Sequence, residues 1–216
     1  MKLIHRDNYN NYIIGLVALI FSAIAYPRLP EQIPIHFNAQ GIPDGYGSPL
    51  TIFLLPAIIL LVNVLAEVTK HADPRTANYS VFSKHYYLFF LVFNVFMFLV
   101  QLYLIAYALN IITFNVSNVI IIALGVLFII IGNMMPKFKQ NFFMGIKTPW
   151  TLADEQVWYE THRFGGKTWF ILGIAMCICG FLPSIASFPI MLVVIIIAAA
   201  APMVYSYIIY KRKALK

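Results

Sequence analysis

Six apolar runs dominate the chain, roughly 12–26, 50–69, 86–108, 116–135, 168–187 and 189–210. A helix needs about 20 apolar residues to cross ~30 Å of hydrocarbon. Most of the runs reach that length, and the first does so by borrowing Tyr9 to Asn11. Charged residues are 11% of the chain and hydrophobic ones 61%, against roughly 25% charged in soluble proteins. So few charges cannot cover that much apolar surface in water, and lipid must be the solvent for part of the molecule. The expected fold is an all-α, six-transmembrane helix bundle.

The cations set its orientation. With the N-terminus inside, the inner segments hold Lys2 and Arg6; Lys70, Arg75 and Lys84; Lys137, Lys139, Lys147, Arg163 and Lys167; and Lys211, Arg212, Lys213 and Lys216. The outer loops hold Arg28 alone. This asymmetry is a positive-inside signal for an N-in/C-in bundle with an even number of helices. The net charge of +7 therefore reads as topology and anionic lipid rather than nucleic acid. Lys2 and Arg6 precede the first run, and Ala23-Ile24-Ala25 has the form of a cleavage site. That run is read as a retained helix, and either reading leaves the next loop on the same side.

No Lys, Arg or Asp falls within a run, and Glu67 sits at the inner end of the second, three residues before Lys70. There it is expected to snorkel or pair with Lys70. A mid-membrane charge usually marks ion coupling, so its absence argues against a proton- or sodium-driven transporter. The polar residues inside the runs are amides. Asn94 and Gln101 are seven apart on one face, with Asn63 and Asn133 on neighbouring helices, and all four are read as interhelical glue. Gly173, Cys177 and Gly180 permit close helix contact. Pro56 and Pro202 are expected to kink their helices. Cys177 and Cys179 point about 200° apart on a helix, which suits neither a disulfide nor a shared metal.

Two loops are more than connectors. In the outer one, residues 27–49, Pro30 to Phe37 should be extended, because each proline pushes its predecessor toward β or polyproline II. Asn38-Ala39-Gln40-Gly41 and Pro43-Asp44-Gly45 are turn signals. The expected result is a rigid, folded-back lid. His36 with the single nearby Asp44 does not make a metal site. In the inner loop, residues 136–167, Thr151-x-x-Asp154 reads as a capping box, His162 and Arg163 complement a helix C-terminus, and Gly165-Gly166 stops it. Val157, Thr161 and Phe164 share a face with Trp158 at its margin. A short interfacial helix along the inner leaflet is expected. It serves either as an anchor bracing the fourth and fifth helices or as a contact surface for a cytosolic protein.

Asn133, Pro136, Asn141, the stretch Gly145-Ile146-Lys147-Thr148-Pro149-Trp150-Thr151-Leu152, Trp158 and His162-Arg163 together resemble the signature of the SdpI family of bacterial immunity membrane proteins. Leu29-Pro30, Ile33-Pro34-Ile35-His36-Phe37-Asn38 and Gly41-x-Pro43-Asp44-Gly45 resemble the small DUF1648-type N-terminal module that often accompanies it. The chain then divides into that module, residues 1–69, and a four-helix region, residues 70–216. The resemblance implies protection of the producing cell from a secreted peptide toxin. It also implies, in the best-known arrangement, a small autorepressor held at the membrane when toxin is bound.

Candidate toxin-binding residues are Pro30, Pro34, His36, Phe37, Asn38, Gly41, Pro43, Asp44 and Tyr46. Candidate inner contacts are Gly145, Thr148, Pro149, Trp150, Thr151, Trp158, His162 and Arg163. No catalytic residue, metal or cofactor is assigned, because no nucleophile with a base, paired carboxylates or H-E-x-x-H spacing occurs. The competing readings are a peptide exporter, weakened by the missing buried charges and nucleotide motif, and an orphan membrane sensor.

Overall fold

The computed structural model describes residues 3–4 and 6–215. Lys2 and Lys216, counted above among the inner cations, lie outside that range. The described residues form α1 (Tyr9–Ala25), β1 (Ile33–Phe37), β2 (Pro43–Gly47), α2 (Leu54–Ala72), α3 (Thr76–Ala108), α4 (Val116–Met134), α5 (Pro149–Ala153), α6 (Glu155–Cys179) and α7 (Ser184–Ala214). Five of the helical segments, those containing α1, α2, α3, α4 and α7, are long and apolar enough to cross a membrane. The sixth long helix, α6, carries Glu155, Glu160, Arg163 and Lys167 in its first half. Only its second half belongs to an apolar run.

The helices pack as two groups. α1, α2 and α3 contact one another; α4, α6 and α7 do the same, and α3 joins α4. Amides tie the first group together. Asn94 donates to Asn63 Oδ1 at 2.8 Å, and Asn63 donates to the Asn11 carbonyl at 3.1 Å. Gln101 donates to the Ala18 carbonyl at 3.1 Å and to Ser22 Oγ. Each amide nitrogen thus finds an acceptor across helices, which offsets the cost of burying it, while Asn94 Oδ1 and Gln101 Oε1 stay without a partner among the described residues. Asn133 differs: it is exposed and donates to Ile129 O of its own helix. Glu67 is 1% exposed and accepts from Asn8 Nδ2 at 2.8 Å, whereas Lys70 donates to the Tyr87 hydroxyl at 2.6 Å.

The second group is held by close backbone approach. Gly125 and Gly132 on α4 face Gly173 and Gly166 on α6. A methyl on Gly173 would lie 2.6 Å from the Gly125 carbonyl, and one on Gly166 would lie 2.6 Å from the Gly132 carbonyl. The seven-residue spacing keeps this seam on one face of each helix. Gly166 is therefore an interior packing residue and not a helix stop. α6 runs through Gly165-Gly166 without a break to Cys179, so the expected short interfacial helix is instead the first half of a long one. Its N-cap is Asp154, whose carboxylate accepts from the amides of Gln156 and Val157. The capping box lies three residues earlier than expected, between Thr148 and Thr151, and starts the separate five-residue helix α5. The turn into α7 falls at 180–183, not at 188. Pro56 sits at the third residue of α2, where its missing N–H costs no helical bond. α7 runs through Pro189 and Pro202.

The outer loop is a β-hairpin, with β1 antiparallel to β2 and irregular register around His36. Its tip reaches across both helix groups. Asn115, the N-cap of α4, and Ser184, at the start of α7, both donate to the Gln40 carbonyl, at 2.6 and 3.1 Å. Phe37 packs edge-on against Tyr107 near the end of α3. At the opposite end of the bundle, Arg75 at the start of α3 donates to the Leu152 carbonyl, and Lys213 near the end of α7 pairs with Asp154. The two structured loops thus cap opposite ends of one bundle.

Candidate functional site

The inner loop between α4 and α6 wraps around buried polar side chains. Asn141 is fully buried, and its Oδ1 accepts from the amides of Phe143 and Met144 at 2.9 and 2.6 Å. Its Nδ2 donates to the carbonyls of Lys139 and Met144. Gln140 donates to the Thr151 carbonyl at 2.6 Å. Asp73, in the short connection before α3, is 3% exposed and accepts from Phe142 N and Tyr79 Oη, both at 2.8 Å. Beneath them lies an aromatic layer of Tyr79, Phe82, Tyr86, Phe89, Phe90 and Phe138. Phe82 has non-helical backbone inside α3 (φ −123°, ψ 20°). The bend there separates Thr76–Val81, which lies under the loop, from the long apolar part of the helix.

His162 and Trp158 form the other wall. The His162 ring stacks on Trp158, with centroids 4.0 Å apart. Trp158 Nε1 donates to the Phe138 carbonyl at 2.9 Å. Trp158 is 1% exposed, so it is a core residue rather than a headgroup anchor. Ile146 N donates to His162 Nε2 at 2.9 Å, which leaves Nδ1 as the protonated nitrogen, donating to the Trp158 carbonyl at 2.8 Å. Both ring nitrogens are thereby committed to backbone. Gly145 meets this pair with φ +114°, and a methyl there would run into His162 Nε2 and lie 3.1 Å from the Trp158 ring. Backbone sign and space both demand glycine. Thr148 and Thr151 cap each other reciprocally, and Thr148 Oγ1 contacts Ser206 Oγ of α7 at 3.0 Å.

Of the inner candidates, Gly145, Thr148, Thr151, Trp158 and His162 come together as this clasp. Pro149 is exposed at the start of α5, and Trp150 is half-buried with its ring 5.0 Å from that of Tyr207. Arg163 stands apart. It is exposed and faces two cavities along α6. Asp73, Tyr79 and Gln140 hold the loop beside this clasp and are absent from the sequence-derived candidates. The available signal was Asp73-Pro74, a lone acid in an otherwise basic inner connection.

Burial pushes the His162 imidazole down to about 4, against a weaker upward pull from the Trp158 carbonyl. Protonation would also set an N–H on Nε2 against the Ile146 N–H. The unfolded chain takes up that proton near its ordinary pKa of about 6.5. Stability contributed by neutral His162 is therefore complete above pH ~6.5 and is lost as the pH falls toward 4, by up to about 3 kcal/mol. Thermal unfolding in a non-ionic detergent should show this loss in the wild type. His162→Gln, which has no titrating group, should flatten the curve across that window. The Asp154 carboxyl is held below the usual range by Lys213 at 2.5 Å, with the amides of Val157 and Gln156 adding to it.

At the outer end, Asn38 builds the hairpin tip. Its Oδ1 accepts from the amides of Gln40 and Ile42, and its carbonyl accepts from Gly41 N, where φ is +76°. Pro30, Pro34, Pro43 and Tyr46 line a cavity of about 330 Å³ with Tyr107 and Asn110. Pro34 and Phe37 line a larger apolar one of about 550 Å³ with Leu54, Ile58, Leu104 and Ile120. His36 Nδ1 and the Asp44 carboxylate form an exposed pair at 2.5 Å. The candidates thus divide into tip-formers, cavity walls and an exposed His36–Asp44 hydrogen bond, all on the hairpin or just before it.

The SdpI/YfhL protein-family model matches residues 137–206, and a domain of unknown function (DUF1648) matches residues 13–60. The chain is 30% identical over 209 residues to the immunity protein SdpI of Bacillus subtilis, covering 96% of this chain and 97% of the relative. It belongs to the SdpI family. The relative is an immunity protein and not an enzyme, and the apolar helices make this chain a membrane protein. An uncharacterized protein of Archaeoglobus fulgidus is 32% identical over 80 residues, 32% of this chain and 44% of that protein. No solved structure matches. The first match contains the clasp residues from Gly145 to His162, and the second contains the whole hairpin.

Proposed function

We propose that the chain is an immunity protein that protects its producer from a secreted antimicrobial peptide at the cell membrane. The observation that carries this reading is the end-to-end likeness to the Bacillus subtilis immunity protein. The chain spans the membrane six times with both termini inside. α6, 25 residues long, supplies the sixth crossing, and the cation asymmetry supports the orientation. The hairpin and its two cavities receive the peptide, with the apolar cavity taking its hydrophobic side chains. A hairpin fixed at its tip to α4 and α7 loses little freedom on binding.

The clasp at the other end passes occupancy to a cytosolic repressor. Pro149, Trp150, Phe142 and Phe143 present the exposed or half-buried surface for that contact. Supporting this role, the hairpin bonds directly to the starts of α4 and α7, the helices that carry and brace the inner loop. Expression in sensitive cells should raise survival against the peptide secreted by the source strain. Deletion of residues 29–46 should abolish that protection while the protein still reaches the membrane. Unchanged survival on deletion would remove the hairpin from peptide recognition. No protection by the full chain would remove the immunity role.

A further inference from the structure

We infer that α6 carries a site for the phosphodiester headgroup of an anionic phospholipid. Two cavities, of about 460 and 440 Å³, share Tyr159, Arg163 and Lys167 as walls. Arg163 and Lys167 are one turn apart, so their side chains rise from the same face. Both are exposed, and neither makes a hydrogen bond or ion pair among the described residues. The exposed Asn133 amide lines the same space from α4. It spends one N–H on its own helix, which leaves the other for a phosphate oxygen.

Charge and shape select the ligand. Glu160, held by Gln156 Nε2 at 2.9 Å, stands at the rim of the first cavity. The rim therefore carries two positive charges and one negative. That net charge fits a singly charged phosphodiester better than a doubly charged phosphomonoester. Below the cations the second cavity continues over Gly132 and Gly166 to Phe170 and Ile171. The two glycines hold α4 and α6 together at its floor, and the apolar residues beyond them lie at the depth of an acyl chain. A free phosphate would use only the upper part. An acidic protein would not use the apolar floor. Basic pockets between membrane helices at the inner leaflet recognise anionic headgroups in this manner.

The test uses the full chain reconstituted in vesicles, with quenching of its tryptophans by brominated lipid as the readout. Trp169 sits two residues from Lys167. Brominated phosphatidylglycerol should quench more than brominated phosphatidylcholine at equal mole fraction. Arg163→Gln with Lys167→Gln should lower that preference about fivefold for each cation removed. Lys211→Gln with Arg212→Gln, which removes two cations at the same end of the bundle, should leave the preference intact. Glycerophosphoglycerol, the deacylated headgroup and itself a singly charged phosphodiester, should not compete at millimolar concentration, because it lacks the chains. Equal loss in both double variants would reduce the effect to general surface charge and overturn the site. So would an undiminished preference in the Arg163/Lys167 variant. Competition by glycerophosphoglycerol would mean an anion pocket without a lipid and would overturn the site. All four substituted residues are exposed, so folding is expected to survive, and an unchanged helical circular dichroism spectrum checks it.

Discussion

Gly173→Ala should lower the unfolding temperature by several degrees, although alanine is the better helix former. Two effects oppose. Alanine gains about 0.8–1 kcal/mol of helix propensity over glycine. At Gly173, however, the new methyl meets the Gly125 carbonyl at 2.6 Å and the Ile129 amide nitrogen at 2.8 Å. Both are backbone atoms of a helix and cannot rotate away. α4 and α6 must separate, which opens their whole interface at an overpacking cost of about 1–3 kcal/mol and forfeits the contacts along the seam. Gly15→Ala is the internal control. Its methyl would meet Leu60 Cδ2 at 2.5 Å, the far end of a side chain that can change rotamer, so the propensity gain should offset most of the cost. The double variant Gly125→Ala with Gly173→Ala should be less destabilised than the sum of its singles, because the first methyl has already forced the helices apart. Thermal unfolding in detergent of all four variants measures this. A Gly173→Ala protein as stable as wild type would mean that the two helices do not touch there.

The same seam shows why the sequence was legible in one respect and not another. The apolar runs located the long apolar helices, because lipid solvation acts on each segment separately, although they set the turn into α7 too late and the start of α3 too late. The amides Asn63, Asn94 and Gln101 were readable as glue for the same reason: an amide in hydrocarbon must find a partner. The prolines of the outer loop, with Asn38, Gly41 and Asp44-Gly45, led to its extended arms and turn, since they act within a few residues. Gly165-Gly166 was misread because glycine has two uses. Locally it ends helices; across a tertiary interface it lets them touch. Only the partner helix, with Gly132 opposite, decides between these. The same local logic puts Trp158 at the margin of an interfacial helix face. It is buried because Phe138, twenty residues earlier, offers its carbonyl to the indole N–H. Asp73 went unnoticed because the partner that ties it to the loop, Phe142, lies about seventy residues away. The share of the site that rests on long-range pairs is the share that pattern reading did not reach.

Asp73→Ala should be among the most damaging single substitutions at the inner end. One carboxylate there holds three donors: Arg75 N at 2.7 Å, and Tyr79 Oη and Phe142 N each at 2.8 Å. Two of these fix the start of α3, and the third fixes the inner loop onto it. A hydrogen bond to a charged group contributes about 1.5–3 kcal/mol, and a buried donor left unpaired costs about 1–3 kcal/mol. Even with water entering the gap, the expected loss is about 3–5 kcal/mol. Asp73→Asn keeps one acceptor but turns an NH2 toward a donor, so its cost should be intermediate. Tyr79→Phe removes one hydroxyl and leaves Asn141 with its other partners, so it should cost the least, about 1–2 kcal/mol. The order, and not only the size, is diagnostic. A purely electrostatic role for Asp73 among the inner cations would make the alanine and asparagine variants equal. A clasp makes them differ, and it makes proteolytic cleavage within residues 138–148 increase in the same order as stability falls. If the loop of Asp73→Ala stayed as resistant as wild type, the Asn141 and Gln140 bonds alone would suffice to hold it. The proposed coupling of the hairpin to the opposite face would then rest on α7 and its Thr148–Ser206 contact instead.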